Sequence, residues 1–296
     1  MKKLLFAVLY ITGVTRLIAW FNRGQVTILC YHSVTKTERP PGQDPYKLHL
    51  AYSRFVEHLD HLRSRYRIIS LSDFVRAHRA KKKLPPHSVV LTFDDGFRNF
   101  STIAAKELLS RGLSATIFIV IDKTDNGNYP QARGQTIMTD DNSHLSWTDV
   151  KRLTVDGFEF GSHSYSHPRL LTLTPEAVRK ELAESRAALI TQLGSSNFAL
   201  SYPHGQTSEE ISRLAESLGY SCGLTGWLGG NSLSTNLFAL NRTVVASDDD
   251  LATFAARVSG LTWWGSRLLW VLRRIRNGSN ATLAHYSPSV SDNIGL

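Results

Sequence analysis

Cysteine is scarce: 296 residues include only Cys30 and Cys222. Each lies in an apolar segment, so they read as buried thiols rather than a disulfide frame, with one disulfide between them left open. Long apolar runs are missing too. The stretch from Leu4 to Val14 stops at Thr15-Arg16, short of the roughly 20 residues a membrane span needs. No clear small-residue cleavage site follows it, which disfavours a removed secretory leader. There is no internal repeat and no low-complexity tract, so the length reads as one large α/β domain or two small ones. Acidic residues are in deficit, 25 against 34 basic, for a formal charge of +9. No nucleic-acid motif accompanies that surplus, which instead suits an anionic membrane surface or an acidic polymer.

What is present is an alternation of short apolar runs and helical patterns along most of the chain. Strands are expected at Val26 to Tyr31, Ile68-Ile69, Val89 to Phe93, Ala115 to Ile121, Phe158 to Phe160, Phe198 to Tyr202, Tyr220 to Leu224 and Ala239 to Val245. Helices are expected from Ser53 (as N-cap) to Tyr66, from Ser72, from Asn99 to Ser110, from Trp147 to Val155, from Pro175 to Leu193 with Thr174 as N-cap, and from Ser208 to Leu218. Asp122 to Ser146 is long, polar and aperiodic, a pattern that marks functional or disordered loops. The alternation predicts a parallel sheet closed, or nearly closed, as a barrel. Residues 1–22 read as an interfacial or signal-anchor helix, the alternative being an amphipathic helix packed on the domain. Residues 261–296 form a basic, aromatic tail whose helix suits a membrane interface or packing on the barrel.

Chemistry gathers at strand ends. Val89-Val90-Leu91-Thr92-Phe93 runs into Asp94-Asp95-Gly96. Adjacent strand residues point to opposite sides, so the two carboxylates can take two roles. Gly96 permits a sharp turn. His163 and His167 stand four apart beyond another strand, with Pro168 placing them on a loop or single turn. With Asp95 they make a carboxylate-plus-two-imidazole set that leaves coordination positions open. Tyr202-Pro203-His204-Gly205 forms a third turn able to offer a backbone N–H to an oxyanion. His32 follows the first strand.

Together these stretches resemble the polysaccharide deacetylase family (carbohydrate esterase family 4). TFDDG at 92–96, HSYSH at 163–167 and SYPHG at 201–205 look like its three motifs. ILCYHSV at 28–34 is similar to a branch with a circularly permuted barrel, whose catalytic-acid histidine lies on the first strand. That branch includes bacterial exopolysaccharide deacetylases, such as those acting on poly-N-acetylglucosamine. The resemblance, which runs from about Val26 to Val245, implies a distorted (β/α) barrel of about seven parallel strands, placed at 23–260 between the N- and C-terminal amphipathic helices read above. It implies a metal-dependent hydrolase that removes N-acetyl groups from N-acetylhexosamine units of a polysaccharide. Asp95, His163 and His167 would hold a divalent ion, zinc by default, with iron, cobalt or nickel also fitting. Asp94 would be the general base and His32 the acid that protonates the departing amine. A backbone N–H near Tyr202, with Pro203 and Gly205 shaping the turn, would face the substrate oxyanion.

The chain departs from the family in two places. Ser201 stands where many members carry an Arg that steadies the catalytic Asp, and Arg242 is the candidate replacement, or else a structural Arg. His204 replaces a more usual aromatic residue. Trp147, Trp227 and Tyr165 can line a glycan groove, though core packing suits each of them better. The expected setting is membrane-associated in a bacterium, on the periplasmic or the cytoplasmic face, with an N-acetylated glycan as partner and no nucleic acid. The alternatives are a catalytically silent carbohydrate-binding barrel and an amidase acting on a non-glycan amide.

Overall fold

The apolar run ahead of Asp94 forms a strand, Ser88–Phe93, whose six residues are all buried. Covered faces on both sides explain the missing alternation. The computed structural model describes residues 2–40, 42–124 and 143–265. In chain order the strands are β1 (Thr27–Tyr31), β2 (Ser33–Thr35), β3 (His49–Ala51), β4 (Arg67–Ile68), β5 (Ser88–Phe93), β6 (Thr116–Ile119), β7 (Glu159–Ser162), β8 (Leu200–Ser201), β9 (Gly223–Leu224) and β10 (Thr243–Val244). The helices are α1 (Lys2–Ile11), α2 (Val14–Phe21), α3 (Tyr52–Arg65), α4 (Leu71–Arg79), α5 (Ala105–Ser110), α6 (Trp147–Val155), α7 (Pro175–Leu193), α8 (Glu209–Ser217) and α9 (Leu251–Val258).

Seven strands pair in the order β10-β1-β5-β6-β7-β8-β9, and β4 lies along the start of β5. Every one of these pairings is parallel. The open ends then meet. Leu224 and Leu240 bridge in parallel, and the Leu240 N–H donates to the Gly223 carbonyl at 2.9 Å. The sheet is thereby a curled, distorted barrel of seven parallel strands, as the alternation predicts. Because the strands share one direction, the loops after β1, β5, β7 and β8 open at one mouth.

A large core fills the space between sheet and helices, with Tyr31, Phe55, Phe93, Phe100 and Phe254 among its fully buried side chains. Each such residue contributes about 1.5–3 kcal/mol by burial. That reserve matters because the mouth is strained, with left-handed backbone at Asp95, Ser164, His167 and His204. Such residues cost on the order of 1–3 kcal/mol apiece.

Several boundaries move. The N-cap of α3 is Ala51 rather than Ser53, and no side chain caps it. α4 is capped by Ser70, which accepts the Asp73 N–H, so Ser72 lies inside the helix. The helix from Asn99 opens with a π turn at Phe100–Ala104 before α5. Thr174 caps α7 as expected, and Ser208 caps α8. Both cysteines are buried and free. Most of the long polar loop, and most of the basic tail expected at 261–296, lie outside the described residues. Within them, Trp263 is buried and its indole N–H donates to Thr243 Oγ1 at 3.2 Å.

No single described helix is long and apolar enough to cross a membrane. α1 and α2 together have the length and composition, but they are bent by 78°. α1 lies along α9 without burying any residue, and Leu4, Leu5, Val8 and Ile11 face outward.

Candidate metal centre

Asp94 and Asp95 leave β5 in different directions. Asp94 continues the ladder, its N–H donating to the Tyr31 carbonyl at 2.9 Å. Asp95 turns left-handed at φ 70°, and Gly96 follows at φ 68°. A Cβ on Gly96 would stand 2.9 Å from Ile119 Cγ2, so the turn needs glycine for space as well as for φ.

Asp94 is clasped. Arg242 Nη1 donates to its Oδ1 and Arg242 Nη2 pairs with its Oδ2, both at 2.8 Å. The Ser201 hydroxyl donates to Oδ2 at 3.1 Å. Arg242 is itself fixed, its Nε donating to the Thr225 carbonyl at 2.8 Å. Burial pushes the Asp94 carboxyl up, but the Arg242 guanidinium, with His163, holds it well below the usual range. The carboxylate is therefore charged and oriented at any pH the protein meets. Ser201 and Arg242 share the place where the family pattern expects one Arg.

Asp95 faces two imidazoles. Its Oδ1 lies 3.5 Å from His163 Nε2 and 3.6 Å from His167 Nε2. His163 Nδ1 sits 2.8 Å from the Ser201 carbonyl. A carbonyl only accepts, so Nδ1 donates to it, and Nε2 is the nitrogen turned toward Asp95. His167 is left-handed at φ 64°, and its N–H donates to Ser164 Oγ at 2.9 Å. The pair thus sits on a loop, as Pro168 requires. Burial, with His163 beside it, pushes the His167 imidazole down to about 3, so it is neutral and free to ligate. Burial raises the Asp95 carboxyl, and His32, His163 and His167 more than reverse this.

This trio fits a divalent cation. Its three donor atoms lie within 4.8 Å of one another. Tetrahedral bonds of about 2.0–2.1 Å place ligand atoms roughly 3.3 Å apart, close to the contacts seen here. A second cluster, Cys30, His32 and Asp94, meets the same distance test. Chemistry rejects it as a metal site. Burial keeps the Cys30 thiol protonated, and the Asp94 oxygens are already taken by Arg242 and Ser201.

That second cluster nonetheless locates His32. A ring nitrogen of this half-buried residue lies within 4.8 Å of an Asp94 oxygen. Burial lowers its pKa, opposed by Asp95 and Asp94. The Ser33 hydroxyl next door meets His49 Nδ1 at 2.8 Å and Asn99 Nδ2 at 2.5 Å.

The third turn is arranged differently from the expectation. The Tyr202 N–H donates to the Leu224 carbonyl at 3.0 Å, inside the β8–β9 ladder, so it cannot serve an oxyanion. Its ring is fully buried, with the hydroxyl donating to the Phe238 carbonyl at 3.0 Å. Pro203 has no N–H, and that of Gly205 goes back to the Tyr202 carbonyl at 2.9 Å. Gly205 is a packing glycine: its Cβ would stand 2.5 Å from the Gly226 nitrogen. The amide left in the turn belongs to His204, which is left-handed at φ 58°, its ring 4.7 Å from that of His167.

Trp147 packs against the main core, and Tyr165 is exposed on the histidine loop. Trp227 is half-buried, its carbonyl accepting from the Arg242 N–H at 2.9 Å. One residue is missed by sequence reasoning altogether. Glu181 of α7 accepts the N–H groups of Tyr165 at 3.0 Å and Ser166 at 2.9 Å, and the Ser166 hydroxyl at 2.6 Å. It holds the histidine loop from outside, and a lone Glu on a long helix carries no signal of that task.

The fold is a distorted parallel barrel with a candidate metal centre at its mouth, and known proteins share both its fold and its motifs. Residues 81–223, which carry all three motif stretches, match the model of the polysaccharide deacetylase family. YxkH of Bacillus subtilis, a protein assigned as a polysaccharide deacetylase, is 26% identical over 247 residues, 82% of this chain and 80% of its own. Among solved structures, the deacetylase PplD of Streptococcus pyogenes, in complex with acetate, superposes with a TM-score of 0.68 at 23% identity, covering 79% of this chain and 98% of that one. A de-N-acetylase from Aggregatibacter actinomycetemcomitans gives 0.66 at 19%, covering 77% and 98%. IcaB from Ammonifex degensii gives 0.64 at 20%, covering 80% and 97%. At these identities the structural likeness is one of fold.

Proposed function

We propose that this protein is a metal-dependent hydrolase that removes N-acetyl groups from the N-acetylhexosamine units of a bacterial polysaccharide. One observation carries the reading: Asp95, His163 and His167 converge on a single point while Asp94 stands beside them, ionised and fixed by Arg242. A divalent ion on the trio, zinc by default, supplies a Lewis acid for the acetamide carbonyl and for water. Asp94 accepts the proton of the attacking water as oxygen bonds to the acetyl carbon. The His204 N–H takes the task expected of a backbone N–H near Tyr202, that of stabilising the developing oxyanion. His32 then donates a proton to the nitrogen as the carbon–nitrogen bond breaks, because an amide anion is too poor a leaving group to depart alone. The products are acetate and a free amine on the sugar.

The position of His32 just after β1 supports the permuted-branch reading, in which the acid sits on the first strand. The outward apolar residues of α1 support membrane association. A silent binding barrel would have no use for the Asp94–Arg242 clasp. The test is acetate release from N-acetylglucosamine oligomers. The wild type is expected to turn over, and Asp94→Asn to lose about 10²-fold or more. Equal rates for the two proteins would end the proposal.

A further inference from the structure

Between α2 and the barrel lies a cavity of about 440 Å³, away from the catalytic mouth. Arg16 and Trp20 of α2, His61 and Arg65 of α3, Tyr66, and His87 ahead of β5 line it. Among the described residues, no carboxylate does. Neither Arg16 nor Arg65 forms an ion pair among the described residues. Arg23 adds a third guanidinium at the edge: it lies 4.1 Å over the Trp20 ring, donates to the Trp20 carbonyl at 2.8 Å and acts electrostatically on His87. Arg65 acts likewise on His61 and Tyr66. Uncompensated cations around a partly enclosed cavity concentrate an anion there. Guanidinium forks and imidazole N–H groups suit the oxygens of a phosphate.

The rim identifies the source of that phosphate. On α2, Leu17, Trp20 and Phe21 are each roughly half exposed, and Trp264 stands 6.5 Å from Phe21, also half exposed. α1 adds the outward Leu4, Leu5, Val8 and Ile11. A free phosphate would account for the arginines but not for this apolar border. An amphiphile accounts for both, with Trp at the boundary where such side chains settle.

We propose that the cavity receives the phosphate of an anionic phospholipid, with α1 and α2 lying in the membrane interface. The proposal does not rest on the deacetylase reading, and its test does not use activity. The full chain is sedimented with vesicles of phosphatidylcholine alone or mixed with phosphatidylglycerol. The wild type is expected to prefer the mixed vesicles. The double variant Arg16→Gln/Arg65→Gln removes two interfacial cations, each worth about 1 kcal/mol, and should lower partitioning by roughly 30-fold. Arg179→Gln/Lys180→Gln removes the same charge from α7, across the barrel, and should change it less than about twofold. Ala19→Glu places a carboxylate in the cavity and should also abolish the preference. Unchanged thermal unfolding of each variant shows that the fold survives. Equal weakening by both double variants would reduce the effect to net charge and overturn the proposal. So would equal binding to both vesicle types. Calorimetric binding of inorganic phosphate without vesicle binding would make this a free-anion site and overturn it as well.

Discussion

In the proposed mechanism Asp94 is the residue on which the chemistry turns, and the clasp from Arg242 orients it. A fully buried ion pair contributes modest net stability, but removing one partner strands the other at about 3–5 kcal/mol. Arg242→Met is therefore expected to lower the unfolding midpoint and to reduce kcat sharply, while metal content by elemental analysis stays at the wild-type level. Arg242→Lys should recover little activity, because an ammonium cannot clasp both oxygens. Asp94→Asn should keep the metal and lose activity, whereas His163→Ala should lose both. Equal metal in His163→Ala and wild type would contradict the ligand set. His32→Ala should slow acetamide hydrolysis more than that of an activated aryl acetate, whose leaving group needs no acid. Asp94, Asp95, His163 and His32 stand out in the sequence at the ends of apolar runs, with His167 four residues on, and the family resemblance supplied the roles proposed for them. The tie from Arg242 was less legible: it spans 148 residues, and spacing does not reveal that β10 lies beside β1. Nor did sequence reveal that strand pairing occupies the Tyr202 amide. That depends on β9, whose two residues lie in a run too short to give its register.

At the scale of elements, the short turns are as constrained as the strands. Gly205 combines φ 67° with a Cβ position 2.5 Å from backbone nitrogen. Gly205→Ala is expected to cost more than about 1 kcal/mol and to displace the His204 amide, seen as a lower unfolding midpoint and a lower kcat. The packing of α3 on α9 carries a pH dependence. The His58 ring stacks on Phe254 at 3.8 Å, and burial pushes its imidazole down to about 3. His61, one turn on, is held at about 4, chiefly by burial. An unfolded chain binds these protons near pH 6.5, so it binds more protons than the native state below that value. Stability is then present above pH 6.5 and lost as pH falls toward 3–4, by up to about 1.4 kcal/mol per pH unit for each histidine. His58→Leu should flatten the fall of the unfolding midpoint between pH 6 and pH 4; an unchanged slope would contradict the assignment. Sequence located α7 and α8 closely because Thr174-Pro175 and Ser208 are strong caps. It missed α9, whose Asp250 cap follows two other aspartates that mask the signal.

At the scale of the whole molecule, alternation of element types gave away a parallel barrel, since parallel strands need crossovers of helical length. Closure was less legible, because it depends on the single bridge between Leu224 and Leu240. The barrel brings side chains from the ends of β1, β5 and β7 and from Arg242 beside β10 to one mouth, and a bound ion would tie the loops after β5 and β7 together. Ligand saturation at about 100 times Kd adds roughly 2.7 kcal/mol, so chelation is expected to lower the unfolding midpoint by roughly 5 °C or more. The central claim is that the Asp95–His163–His167 centre releases acetate from an N-acetylated glycan. The direct measurement is acetate release from N-acetylglucosamine oligomers by the purified chain before chelation, after it, and after zinc is returned. The account predicts activity that is lost with the metal, restored with zinc, and absent from His163→Ala under all three conditions. Acetate release that survives both chelation and His163→Ala would contradict it.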